Sequence, residues 1–273
     1  MVMSKSRFLA IGILALTALP AFAGTVDVIF FDNRFGTLND TSGSYSQIGT
    51  LPLSASSGIA WMNNLLYVED LSGGLLQVDP NTGASQLLGS AGLSNLAAVF
   101  AGGSNGLFEI DYASNLYSIN PLTGAATLRG ATGLAANNGN YDTSLSSDGN
   151  SLYYTAGRAN SHDELYRIDT GTGLATDLGS TGIGSIAGSA FVDGNLELYQ
   201  YGQSANHIYA APAGSADFVQ GAQLAAQILD GGAVQADPSQ TTGNAGVTPE
   251  PGSVILFGIG MLLIGTTRRR KVR

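Results

Sequence analysis

The stretch Leu116-Tyr117-Ser118-Ile119-Asn120-Pro121-Leu122-Thr123-Gly124 recurs along the chain in altered form. Leu75-Leu76-Gln77-Val78-Asp79-Pro80-Asn81-Thr82-Gly83 precedes it, and Leu165-Tyr166-Arg167-Ile168-Asp169-Thr170-Gly171-Thr172-Gly173 follows it. In each copy the alternating faces of a strand run into a turn. Asp or Asn offers a side-chain acceptor, proline fixes φ in two of the copies, and the closing glycine accepts positive φ. Another glycine stands 6 residues further on, at Gly89, Gly130 and Gly179. Asn39-Asp40-Thr41-Ser42-Gly43, followed by Gly49, is an earlier degenerate copy. Ile208-Tyr209-Ala210-Ala211-Pro212-Ala213-Gly214 is a weaker later one. The turn glycines at 43, 83, 124, 173 and 214 are 40, 41, 49 and 41 residues apart. Such a period matches a unit of four short strands.

The returning strands are read at Ala126–Leu128 and Ala175–Leu178. Each unit also carries a second hairpin. Gly58–Trp61 returns through Asn63-Asn64 as Leu65–Val68, and Ala98–Ala101 returns through Gly102–Gly106 as Leu107–Ile110. Ser144–Ser146 returns through Asp148-Gly149-Asn150 as Leu152–Thr155, and Ser189–Val192 through Asp193-Gly194-Asn195 as Leu196–Tyr199. Asn-Asn and Asp-Gly are suited to tight hairpins. Two hairpins per unit, without a helical period in the body, predict an all-β fold: a β-propeller of five four-stranded blades. Six blades is the near rival. A lectin-like β-sandwich is the other alternative, although it would not show a periodic turn motif. Val26–Phe31 is expected to close the ring by joining a blade formed by the C-terminal end.

The chain has 273 residues, 11% of them charged and 44% hydrophobic, which is not the composition of a disordered protein. Cysteine is absent, which excludes disulfides, thiolate metal sites and cysteine nucleophiles. The net charge of −9 hides a partition. All 20 acidic residues lie between Asp27 and Glu250, where the only basic residues are Arg34, Arg129, Arg158 and Arg167, a net of −16 without a single lysine. Such a surface repels phosphate backbones, so no nucleic-acid partner is expected. Cations and basic partners would be attracted.

Both ends read as targeting segments. Lys5 and Arg7 form a basic n-region, Phe8–Leu19 an apolar h-region, and Ala21 and Ala23 the small residues of a signal-peptidase site. Residues 1–23 are therefore expected to be a signal peptide, leaving Gly24 as the mature N-terminus. The body spans 24–234 in this reading, and 235–248 is a polar linker with Pro238, Gly243 and Gly246. At the other end Pro249-Glu250-Pro251 precedes an apolar run, and Arg268-Arg269-Arg270-Lys271 follows it near the chain end. A transmembrane helix over 252–267 would span roughly 24 Å, slightly short of a hydrocarbon core of ~30 Å. Snorkelling arginines and local thinning cover that gap. The basic tail, 268–273, should remain in the cytoplasm.

Pro-Glu-Pro, an apolar helix and an arginine cluster, in that order at the chain end, resemble the PEP-CTERM sorting signal of Gram-negative bacteria. The resemblance covers Val247–Arg273 and departs mildly at Thr248, where valine often precedes the motif. It implies recognition by an exosortase, a membrane protease or transpeptidase usually associated with exopolysaccharide and biofilm formation. Pro249, Glu250 and Pro251 would be the processing motif, and Arg268, Arg269, Arg270 and Lys271 the membrane stop. The implied course is export, transient inner-membrane anchoring with the C-terminus cytoplasmic, then delivery to the cell surface or outside.

Reactive constellations are sparse. His162 and His207 are the only histidines, and no sequence neighbour completes a ligand set around His162-Asp163-Glu164. Asp79-x-Asn81-x-Gly83 resembles the start of a calcium loop but lacks the later bidentate glutamate, so the turn reading prevails. No cofactor, metal site or catalytic residue is expected, with calcium on acidic loops the one cation left open. Trp61, Tyr141, Tyr153, Tyr154, Tyr199 and Tyr201 could stack on sugars, but aromatics so placed more often pack between blades. The expectation is a non-enzymatic envelope or matrix protein whose body is an interaction module. The alternative is a secreted polysaccharide hydrolase or lyase, which would need carboxylates converging in the propeller channel.

Overall fold

A computed structural model describes residues 24–236, apart from 31, 55, 94–98, 104, 137–142, 158–161, 201–205 and 225–232. The described residues form twenty strands grouped as five four-stranded antiparallel sheets. Strands β1 (Thr25–Ile29), β2 (Arg34–Asn39) and β3 (Tyr45–Thr50) belong to the first blade. The second comprises β4 (Ser56–Met62), β5 (Leu65–Asp70), β6 (Gly74–Val78) and β7 (Ser85–Ser90). The third comprises β8 (Val99–Gly103), β9 (Gly106–Ile110), β10 (Asn115–Ile119) and β11 (Ala126–Ala131). The fourth comprises β12 (Thr143–Ser147), β13 (Leu152–Ala156), β14 (Glu164–Ile168) and β15 (Ala175–Ser180). The fifth comprises β16 (Ile186–Val192), β17 (Asn195–Gln200), β18 (His207–Pro212) and β19 (Val219–Gln223). Strand β20 (Ala233–Ala236) pairs with β1 and completes the first blade. The innermost strands adjoin one another in the order β20, β4, β8, β12, β16 and back to β20. The fold is thus a five-bladed β-propeller. Closure runs opposite to the expected sense: the C-terminal strand joins the N-terminal blade. That strand runs past Val234, where the sequence reading ended the body.

The repeated motif forms the turn between the third and fourth strands. Asn39, Asp79, Asn120 and Asp169 each accept a backbone N–H with the side chain, from Ser42, Asn81, Leu122 and Thr172 at 2.7–2.9 Å. The N–H of Gly43, Gly83, Gly124 and Gly173 reaches back to the carbonyl of the same Asx residue at 2.8 Å. All five turn glycines, Gly214 included, have φ between 69° and 82°. A side chain there opposes the left-handed backbone.

The second glycine of the repeat has a different task. Each outer strand breaks register just before it, with Ile48, Leu88, Arg129 and Leu178 skipped in pairing. Such a bulge bends the strand, and it brings the glycine against the turn of the next blade. A Cβ on Gly89 would lie 1.8 Å from the carbonyl oxygen of Thr123, beside Gly124. One on Gly130 would lie 2.2 Å from that of Thr172, beside Gly173. The two glycines of the repeat are partners across blades.

Among the described residues the apolar side chains form five clusters, one per seam between blades, in place of a single core. Val26, Leu38, Val192 and Tyr199 fill the seam of blades five and one, while Phe35, Trp61, Leu66 and Val78 fill the next. Gly58 and Gly102 allow the inner strands to meet: a Cβ on Gly58 would stand 2.4 Å from that of Phe100.

Candidate functional site: acidic side chains in the blade seams

The inner strands read Ser-Ser-Gly-Ile-Ala-Trp-Met, Val-Phe-Ala-Gly-Gly, Thr-Ser-Leu-Ser-Ser, Ile-Ala-Gly-Ser-Ala-Phe-Val and Ala-Val-Gln-Ala. None carries an ionisable residue. The acids stand one strand outward, on β1, β5, β9 and β17, as Asp27, Glu69, Glu109 and Glu197. All are at most 1% exposed. Alternation points these side chains out of the sheet plane, into the gap between neighbouring blades.

Each acid meets a different environment. Asp27 accepts the indole N–H of Trp61 at 2.8 Å, tying blade one to blade two. Glu109 faces Glu69 across the second and third blades. Burial pushes Glu109 up to about 7; the hydrogen bond with Glu69 opposes this and Asp111 adds to the rise. Neighbouring carboxyls of this kind share a proton rather than both ionising. Glu197 accepts the hydroxyl of Tyr199. Burial pushes Glu197 up to about 8; the Tyr199 hydrogen bond opposes this, while the charge of Asp40, a hydrogen bond shared with Asp40 and the charge of Asp193 add to the rise. Its Oε1 is buried without a hydrogen-bond partner. Asp40 follows β2, and its two oxygens each stand 2.7 Å from the backbone nitrogen of Gly24.

The remaining buried acids are structural clamps. Burial raises Asp70, but donors on Ser72 and Ser54 outweigh that and leave it below the usual carboxylate range. Asp163 accepts the Ile186 N–H at 3.1 Å, joining blades four and five. Its neighbour His162 is exposed. Among the described residues, no group of three or more His, Cys, Asp or Glu side chains is placed to hold a metal ion. The Asp79 carboxylate caps its own turn through Asn81 and Thr82, and Asp169 does the same through Thr172 and Gly171. An open depression of about 370 Å³ lies on blade two, and Asp79 is its one ionisable lining residue.

Trp61, Tyr153, Tyr154 and Tyr199 are all buried in seams. Tyr153 stacks on Phe191 with ring centres 5.6 Å apart. Tyr141 and Tyr201 lie outside the described residues, as do Ala21, Ala23, Pro249, Glu250, Pro251, the 252–267 helix and Arg268–Lys271. Among the described residues, no helix is long and apolar enough to cross a membrane. Sequence reading did not single out Asp40, Glu69, Glu109 or Glu197. The available signal was an acid inside an apolar strand, as in Phe108-Glu109-Ile110 and Leu196-Glu197-Leu198.

The fold is similar to that of solved structures. A chain of a crystal structure of a nidogen/laminin complex is similar with a TM-score of 0.51 at 11% identity, covering 80% of this chain and 100% of that one. At that identity the likeness concerns the fold alone. No curated protein matches the chain. Residues 247–271 match the PEP-CTERM protein-sorting motif. The protein therefore carries a PEP-CTERM sorting signal behind a propeller body, which marks it as an exported protein sorted by an exosortase-type system.

Proposed function

We propose that this is a non-enzymatic, cofactor-free envelope or extracellular-matrix protein whose propeller is an interaction module. The observation that supports this reading is the inner ring, where none of the five strands contributes an acid, a base or a histidine. A glycosidase needs two carboxyls flanking a bond that a sugar can reach. Here the paired carboxyls of Glu69 and Glu109 are fully buried. What the body offers outward is an acidic surface with apolar points on the rim. Leu87, Leu122, Leu128 and Leu174 on blades two to four are between 58% and 80% exposed. A role beside exopolysaccharide or in a biofilm matrix is compatible with this surface and with the sorting signal.

In this reading the tail is a transient anchor. Two prolines keep Pro249–Pro251 out of helix, because each fixes φ and removes a donor. The apolar run holds that segment at the membrane boundary, and the Arg268–Lys271 cluster keeps the chain end cytoplasmic. The test is replacement of Pro249-Glu250-Pro251 by alanines in a host with an exosortase. A membrane-bound precursor should accumulate and surface delivery should fall. Unchanged processing and delivery would reduce the segment to a plain anchor. Sugar release from polysaccharide by the purified body would overturn the non-enzymatic reading.

A further inference from the structure

The body has one buried acid pair at the place where its own chain begins. Gly24 precedes β1 of blade one, Asp40 follows β2 of the same blade, and Glu197 lies on β17 of blade five. The carboxylate of Asp40 is 0% exposed and so is Glu197. Asp40 returns the contact with Gly24, its N–H donating to the Gly24 carbonyl at 3.2 Å. An amide nitrogen has a single hydrogen to donate. Both oxygens of Asp40 nevertheless stand 2.7 Å from Gly24 N, the approach expected around an ammonium group. Glu197 Oε1 remains without a donor.

The site departs from the repeat in a telling way. Pro80 and Pro121 occupy the position of Asp40 in blades two and three. Those prolines serve the turn; Asp40 turns inward instead. The room at Gly24 is also small. A Cβ there would lie 2.8 Å from Val192 Cγ1 and 3.1 Å from Asp40 Oδ2. The first residue of β1's approach is thus held by both sides of the ring-closing seam.

We propose that cleavage between Ala23 and Gly24 creates the missing cation: the mature α-ammonium of Gly24 is an internal ligand that Asp40 and Glu197 share, locking blade one to blade five. This rests on the signal-peptide reading of residues 1–23 and is independent of how the tail is processed. Signal peptidase adds water across the peptide bond. The hydroxyl goes to the Ala23 carbonyl carbon, which becomes a carboxylate on losing its proton, and the Gly24 nitrogen becomes an amine that takes up a proton to form the ammonium. The ammonium has three donors. Asp40 accepts from it through both oxygens, and Glu197 Oε1 is the acceptor left over. The other groups facing this cluster are the hydroxyls of Tyr199 and Thr41 and the carboxylate of Asp193. Among them none is basic. Before cleavage the pair faces an amide and a proton keeps Glu197 neutral; after cleavage the ammonium takes that proton's place, one cation between two carboxylates. Maturation and ring closure become one event.

The composition supplies a clean test. The chain has no lysine between Lys5 and Lys271. After signal cleavage the only primary amines of the exported full chain are the α-amine and Lys271. Exported protein is sequenced from its N-terminus, then trace-labelled with limiting acetic anhydride across neutral to alkaline pH, native and in urea, and the peptides are weighed. Sequencing should begin at Gly24. The native α-amine should titrate at least about one unit above the ordinary range of roughly 7.7–8.0. At neutral pH that is about tenfold slower acetylation than in urea. Asp40→Asn should return the titration toward the ordinary range, and Glu197→Gln should lower it in part. The wild-type titration needs no variant, so a misfolded Asp40→Asn leaves the test intact. A different first residue overturns the proposal, as does an α-amine with the same titration native and denatured.

Discussion

Two seams of the ring each bury a pair of carboxyls, and their surroundings differ in one respect. Glu69 and Glu109, between blades two and three, face each other with Asp111 nearby. Between blades five and one, Asp40 holds the nitrogen of Gly24 and stands beside Glu197. In the first pair a proton keeps one acid neutral. In the second, a cation can take that proton's place once the chain has been cut. Burying one unpaired charge is costly, whereas a neutral or compensated pair is tolerated. The difference teaches that one buried motif can be permanent structure in one seam and a sensor of processing in another.

The comparison breaks most severely at Asp40. Asp40→Ala in the exported protein would strand Glu197 and the α-ammonium without their shared partner, an expected loss of about 3–5 kcal/mol. Urea unfolding should show a lower midpoint with little change in slope. Glu109→Gln in the other seam replaces one member of a proton-sharing pair by a neutral amide, and its midpoint at neutral pH should stay or rise.

The pH dependence sharpens the contrast. Glu109 has a folded value of about 7, above the ordinary ~4.3 of a free glutamate. Its protonated form is therefore favoured by folding. Its contribution is fully present below the unfolded value, is lost as pH rises through about 7, and is flat above that. The decline is about 1.4 kcal/mol per unit of pH. Glu197 with only an amide beside it, at about 8, should prolong the decline. A precursor whose signal cleavage is blocked should accordingly lose stability over both ranges. The mature chain should lose it over the first range and again above about 8, where the α-ammonium gives up its proton, and mature Glu109→Gln should be flat until then. Melting temperatures recorded at several pH values separate the three.

Much of this architecture was legible in the sequence, and the exceptions have physical reasons. Asx residue, proline and glycine announce a turn through local chemistry, so Asp79–Gly83 and Asn120–Gly124 could be placed without knowing what they touch. Gly89 and Gly130 could be seen as part of the repeat, but their neighbours Thr123 and Thr172 belong to the next blade. Glu69 and Glu109 are about 40 residues apart, one repeat unit, and only closure of the ring makes them a pair. Asp40 could be read only as part of a degenerate copy of the turn, because its partner Glu197 comes from the far end of the chain. The strand that closes the ring was expected in the wrong blade for the same reason: sequence order does not show which end supplies the odd strand.

Rim glycines give the next smaller effects, and they separate contact from conformation. Gly89→Ala drives a Cβ into the Thr123 carbonyl at 1.8 Å, an overpacking cost of about 1–3 kcal/mol. Gly83→Ala has no neighbour nearer than 3.7 Å. It should cost only its positive φ, about 1 kcal/mol. Equal losses in the two variants, measured by urea unfolding, would show that blade contact at the rim adds nothing to the turn.

The smallest effect is the most pointed one. Gly24→Ala keeps every charge of the ring-closing seam and adds one methyl group. That methyl would stand 2.8 Å from Val192 Cγ1 and 3.1 Å from Asp40 Oδ2. Val192 is β-branched and buried, so its methyl gives way only by a shift of the packed side chain. A loss of about 1 kcal/mol is expected, at the lower end for overpacking. The charges stay in place, so the α-amine of this variant should still titrate above the ordinary range. Asp40→Ala removes the charge and leaves the space. If Gly24→Ala lowered the melting temperature as far as Asp40→Ala while keeping the raised amine titration, shape and not charge would hold blades five and one together. A small loss with the titration retained assigns that seam to the ion cluster.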